Sequence, residues 1–71
     1  MNIEEQREEC ENKVSSIIRE YDLDNSNEIY EIVMDKIDSI FDENIDNINF
    51  NIMKDFNIEW YIDNIINNYK N

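Results

Sequence analysis

The chain has 71 residues, with 18 Asp and Glu against 6 Lys and Arg, a formal net charge of −12, and no His, Gly, Pro or Ala. Its length fits one small domain over residues 1–71, and a hydrophobic content of 41% suffices for a core with no disulfide, since Cys10 is the single cysteine. Phosphate-cradling loops need Gly, and most nucleophile, acid–base and zinc sites need His or several Cys, so the composition points to a non-enzyme without catalytic residues, metal or cofactor.

Apolar residues repeat at helical spacing from the start of the chain. Ile3, Cys10, Val14, Ile17, Ile18 and Tyr21 share one face and predict a first helix over about 3–21, with Asn2 able to cap it. Glu4, Glu5, Glu8 and Glu9 crowd its first turns, where the helix dipole favours negative charge, and Glu9 is spaced to pair with Lys13. Residues 22–27 form the clearest break, and Asn25 with Glu28 has capping-box spacing for a second helix. That helix, over about 26–42, places Ile29, Val33, Ile37, Ile40 and Phe41 on one face, so the first two helices are expected to pair as a hairpin.

Beyond Asn44 the pattern weakens. Ile45, Ile48, Ile52 and Phe56 fit a short helix, whereas Ile48, Phe50 and Ile52 alternate as a strand would; helix is the preferred reading. A break near Asn57 then precedes a last helix with Ile58, Ile62, Ile65 and Tyr69 along its apolar face. The expected fold is all-α, a compact bundle of three to four short helices that begins with an acidic helical hairpin.

The charge is unevenly spread. Residues 1–27 carry −5, residues 28–46 carry −6 and residues 47–71 only −1. On the second helix Glu28, Glu31, Asp35, Asp38 and Asp42 recur at spacings of three and four, so that all five fall within an arc of about 80° opposite the apolar face. Such a stripe is often only a solvated face. Here, however, Glu31 with Asp35 and Asp38 with Asp42 are like charges four residues apart, each costing about 0.2–0.5 kcal/mol, and Asp38 and Asp42 lie at the helix end that disfavours anions. A single-sign stripe retained at that cost points to an external positive field. It runs roughly 21 Å at 1.5 Å per residue, a charged row comparable with a nucleic-acid strand.

Other residues suggest sites of their own. Asp22, Asp24 and Ser26 begin like a calcium loop, but Asn27 replaces the turn Gly and Val33 stands where a bidentate Glu belongs, so a capped turn is the better reading. Cys10 lies on an apolar face among acids and reads as a buried, inert thiol. Arg7 borders the same face, with its stem expected over the core. Trp60 projects away from the last helix's apolar face and is a candidate anchor, with Glu8, Glu11 and Asp46 as further candidate contacts; Phe50 shares the ambiguity between anchor and core.

The first residues are acidic where a signal peptide would be basic, and no apolar run reaches the ~20 residues of a membrane span, so a cytoplasmic location is expected. Abundant Asn and Ile without Ala, Gly or Pro is the usage of AT-rich coding, as in a low-GC bacterium, its phages or its mobile elements. Together with size and acidity, this resembles the class of small acidic anti-defence proteins of phages and mobile elements, anti-CRISPR proteins and other DNA mimics among them. The resemblance implies a stoichiometric inhibitor whose acidic stripe enters the basic nucleic-acid cleft of a host enzyme, specifically a CRISPR effector nuclease at its target-DNA or PAM-reading surface. Its partner is then a basic protein, neither nucleic acid nor a membrane. The alternative is a helical interaction module, a homodimeric regulator or immunity-type protein, in which acidity gives only solubility.

Overall fold

The computed structural model describes residues 3–70, with side chains through Asn68. Periodicity dominates wherever the apolar face is long. Helix α1 spans Ile3–Glu20 and α2 Ser26–Glu43, each buried along the face its spacing predicts, followed by a single turn α3 at Ile52–Asp55 and by α4 at Ile58–Lys70. Among the described residues there is no strand, and none of the helices is long and apolar enough to cross a membrane. The fold is the expected all-α bundle.

Helices α1 and α2 pair antiparallel, and α4 packs against both. The shared core consists of Cys10, Val14 and Ile18 from α1, Ile29, Val33, Met34, Ile37 and Phe41 from α2, Ile52 from α3, and Ile58, Ile62 and Ile66 from α4. On α4 the inward row is therefore Ile58, Ile62 and Ile66, with Ile65 only half-buried, a slight rotation from the expected Ile58, Ile62 and Ile65. Because α4 lies across two helices, its inward arc has to be wide enough for both. Tyr21 sits at the edge of the α1 face, 37% exposed, with its hydroxyl donating to Asp63 of α4. Asn2 and the side chain of Tyr69 lie outside the described residues.

Without glycine, the helix ends rely on side chains and on one strained residue. Asp22 follows α1 with φ of 50°, the left-handed conformation that usually falls to Gly at a helix C-terminus and that Asp tolerates better than most residues. Asn25 precedes α2 as expected, but its φ of −108° and ψ of 34° do not aim the side chain at the first turn, and it makes no side-chain cap bond. The predicted capping box is thus not formed; only the Asn25 carbonyl takes part, accepting from the Ile29 N–H at 3.1 Å. By contrast, Asn51 Oδ1 accepts from the Met53 N–H at 3.1 Å and Asn57 Oδ1 from the Trp60 N–H at 3.0 Å, capping α3 and α4.

Residues 44–51 depart from the predicted helix, which survives only as α3. Asn44 donates from Nδ2 to the Ile40 carbonyl at 2.8 Å and Asn47 Oδ1 accepts from the Asn49 N–H at 3.1 Å. These asparagines offer the backbone local partners that compete with a helical ladder, and two successive turns result, Asn47 N–H to the Asn44 carbonyl and Phe50 N–H to the Asn47 carbonyl. Ile45 and Ile48, expected on a buried face, are 60% and 95% exposed, whereas Ile52 is fully buried.

Buried Gln6 fixes where this segment lies. Its Nε2 donates to the Phe50 carbonyl at 3.0 Å, and its Oε1 accepts from the Ile52 N–H at 2.9 Å, so one amide satisfies the chain on both sides of Asn51. The Phe50 ring meets Phe41 edge-on at 6.1 Å and ties the turns to the end of α2.

Candidate partner-binding surface

A helix with apolar residues on one face must present its remaining positions to water, and on α2 those positions are acidic. Glu28, Glu31, Asp35 and Asp42 are exposed, as the spacing requires, while Asp38 at the edge of the stripe is half-buried. The antiparallel pairing brings Asp38 beside the N-terminal half of α1, where Arg7 Nε donates to Asp38 Oδ1 at 2.9 Å and Nη2 to Oδ2 at 3.4 Å. Arg7 also pairs with Glu11. Asp38, through this hydrogen bond and its charge, holds the Arg7 guanidinium further in its protonated form, with Glu11 adding to the effect.

Arg7 therefore crosses from α1 to the acidic seam, whereas its spacing placed its stem over the core. That changes the stripe. Asp38 is compensated, so the carboxylates of the stripe that face solvent without an ion pair among the described residues are Glu28, Glu31, Asp35 and Asp42. The seam also adds a second row. Glu4, Arg7, Glu8 and Glu11 line a shallow hollow on α1, which Arg7 joins to the α2 stripe through Asp38. Glu9 and Lys13, spaced for a pair, do not form one.

The remaining sequence candidates lie elsewhere. Trp60 is 61% exposed on α4, turned away from that helix's buried row, and is not part of the hairpin. Asp46 is exposed within the turns at the end of the bundle, between Ile45 and Asn47. There Ile3, Ile45, Ile48 and Phe50, with Asn44 and Asn47, line an open cleft of about 340 Å³. The sequence reading missed this cleft because it assigned Ile45 and Ile48 to a buried helical face; the alternation of Asn44, Asn47, Asn49 and Asn51 was the signal against that helix.

Cys10 is fully buried, and burial, with Glu9 adding, pushes its thiol from the ordinary 9.0 up to about 11, which opposes the thiolate that nucleophilic or ligating chemistry requires. Among the described residues no group of three or more His, Cys, Asp or Glu is disposed to hold a metal ion. What the surface offers is an extended negative field on rigid helices. No known protein family, curated protein or solved structure matches the chain.

Proposed function

We propose that this chain is a non-catalytic inhibitor that uses the outer face of its α1–α2 hairpin to occupy the basic nucleic-acid-binding cleft of a host defence enzyme. The observation that carries this reading is the set of exposed carboxylates Glu28, Glu31, Asp35 and Asp42, without ion pairs among the described residues, held in one row on α2 and flanked by Glu8 on α1. Lys and Arg residues that normally neutralise phosphates would pair with these carboxylates, and the nucleic acid would be displaced. By resemblance the enzyme is a CRISPR effector nuclease, engaged at its target-DNA or PAM-reading surface, in the cytoplasm of the host. Asp38 and Glu11 serve the interface indirectly, because Arg7 ties them together across the two rows.

Reversal of Glu28, Glu31 and Asp35 to Lys tests the reading, with Asp38 left intact so that its link to Arg7 survives. A folded triple variant, checked by circular dichroism, is expected to lose competition with target DNA for the nuclease. Undiminished competition by that variant removes the proposal. The alternative of an apolar interaction module, a homodimeric regulator or immunity-type protein, is favoured by the exposure of Ile45, Ile48 and Trp60. High salt separates the two, since apolar contacts survive it and the pairing of exposed charges does not.

A further inference from the structure

The apolar cleft at the end of the bundle is not explained by charge mimicry, and its geometry is too well fixed to be an accident of a loose loop. Ile48 is 95% exposed and Ile45 60% exposed, yet the backbone that carries them is closed into two hydrogen-bonded turns, with Phe50 and Ile52 fastened to Gln6. Two large aliphatic side chains are thus held in water, where contact with an apolar partner would be favourable. With Ile3 and Phe50 they line about 340 Å³, room for one or two large apolar side chains.

The surroundings identify the occupant. Glu4 follows Ile3, Asp42 and Glu43 end α2 immediately before the cleft, and Asp46 lies between two of its lining residues; all four are exposed. The nearby cation Arg7 is already engaged by Asp38 and Glu11. A second copy is a poor fit, because a two-fold contact would set the same four carboxylates against their equivalents while joining two chains of charge −12.

We propose that this cleft docks a basic amphipathic segment of the partner protein, with an apolar side chain between Ile45, Ile48 and Phe50 and with Lys or Arg on Glu4, Asp42, Glu43 and Asp46. The proposal rests on the reading above for the positive sign of the partner, and it adds an apolar anchor that charge mimicry lacks. The probe is a synthetic amphipathic Leu/Lys helix, compared with a Ser/Lys peptide of equal length and charge, each titrated at 0.1 M salt while the backbone amides of residues 44–50 are followed by NMR.

The Leu/Lys peptide is expected to bind about tenfold or more tightly than the Ser/Lys peptide, with the largest shifts at residues 44–50. The paired substitutions Ile45→Asn and Ile48→Asn should abolish that margin while leaving the thermal midpoint unchanged. Equal binding of both peptides, or a margin that persists in the Asn variant, overturns the proposal. So does sedimentation showing a dimer that buries these amides. Reversal of Glu28, Glu31 and Asp35, well removed from the cleft along α2, should abolish DNA competition yet preserve the Leu/Lys margin, so failure of the mimicry reading and failure of the cleft are read separately.

Discussion

Replacing Gln6 with Leu tests how the candidate surface is held in place. The substitution roughly conserves volume and removes both the donor to the Phe50 carbonyl and the acceptor of the Ile52 N–H. Ile52 is fully buried, so its N–H finds no water and costs about 1–3 kcal/mol when left unpaired. Phe50 is half-buried, and hydration of its carbonyl limits that loss to under about 1 kcal/mol. Allowing for the apolar gain of Leu, the net destabilisation is about 1–3 kcal/mol, a large share of the roughly 4–10 kcal/mol expected for a domain of this size. At about 4–8 °C per kcal/mol, the thermal midpoint should fall by about 4–24 °C, and amide exchange at Ile52 should accelerate.

A Gln6→Glu companion adds a sign. Its carboxylate can accept from Ile52 but opposes the Phe50 carbonyl, so the introduced group's folded-state pKa is raised. Its full stability contribution is then present only below the usual Glu pKa of about 4.3, and its penalty relative to wild type should grow as pH rises from 4 to 7. Denaturant unfolding followed by far-ultraviolet circular dichroism reads both variants. A Gln6→Leu protein within about 0.5 kcal/mol of wild type, with Ile52 still protected, refutes this account of the loop.

Three further outcomes follow from single positions. The Cys10 thiol is raised from 9.0 to about 11 on folding, so its contribution to stability is complete below pH 9 and is lost as pH climbs through 11; wild type should lose stability more steeply over that interval than Cys10→Ala in parallel denaturant melts. Asp22→Gly relieves a residue held at φ of 50° and should stabilise by about 0.5–1 kcal/mol in thermal melts. Arg7→Gln should cost only about 0.2–1 kcal/mol, because the pair is exposed, yet it leaves Asp38 and Glu11 uncompensated and should tighten binding to a basic cleft measured by titration at low salt.

Long apolar periodicity made α1 and α2 legible to within a residue or so, since burying Val14, Ile18, Ile29, Val33 and Ile37 outweighs any local preference. The acidic stripe was legible for the same reason, being the complement of that face. Residues 44–51 were not, because Asn side chains bonding to nearby backbone cannot be weighed against Ile45, Ile48, Ile52 and Phe56 by periodicity alone. Gln6 borders the arc of Ile3, Cys10, Val14 and Ile17, and its partners lie 44 and 46 residues away. The Arg7 bridge was hidden likewise, as it depends on the register between α1 and α2, which no single helix specifies.

The salt dependence of competition with DNA tests the central claim most directly. With the protein displacing target DNA from a basic nuclease cleft, its affinity for the DNA-free enzyme is measured from 0.1 to 1 M salt, over which the screening length shortens from about 10 Å to about 3 Å. Electrostatic occupation of the cleft predicts a steep, log-linear loss of affinity, made shallower by reversal of Glu28, Glu31 and Asp35. Affinity that stays level to 1 M, in wild type and reversed variant alike, contradicts it.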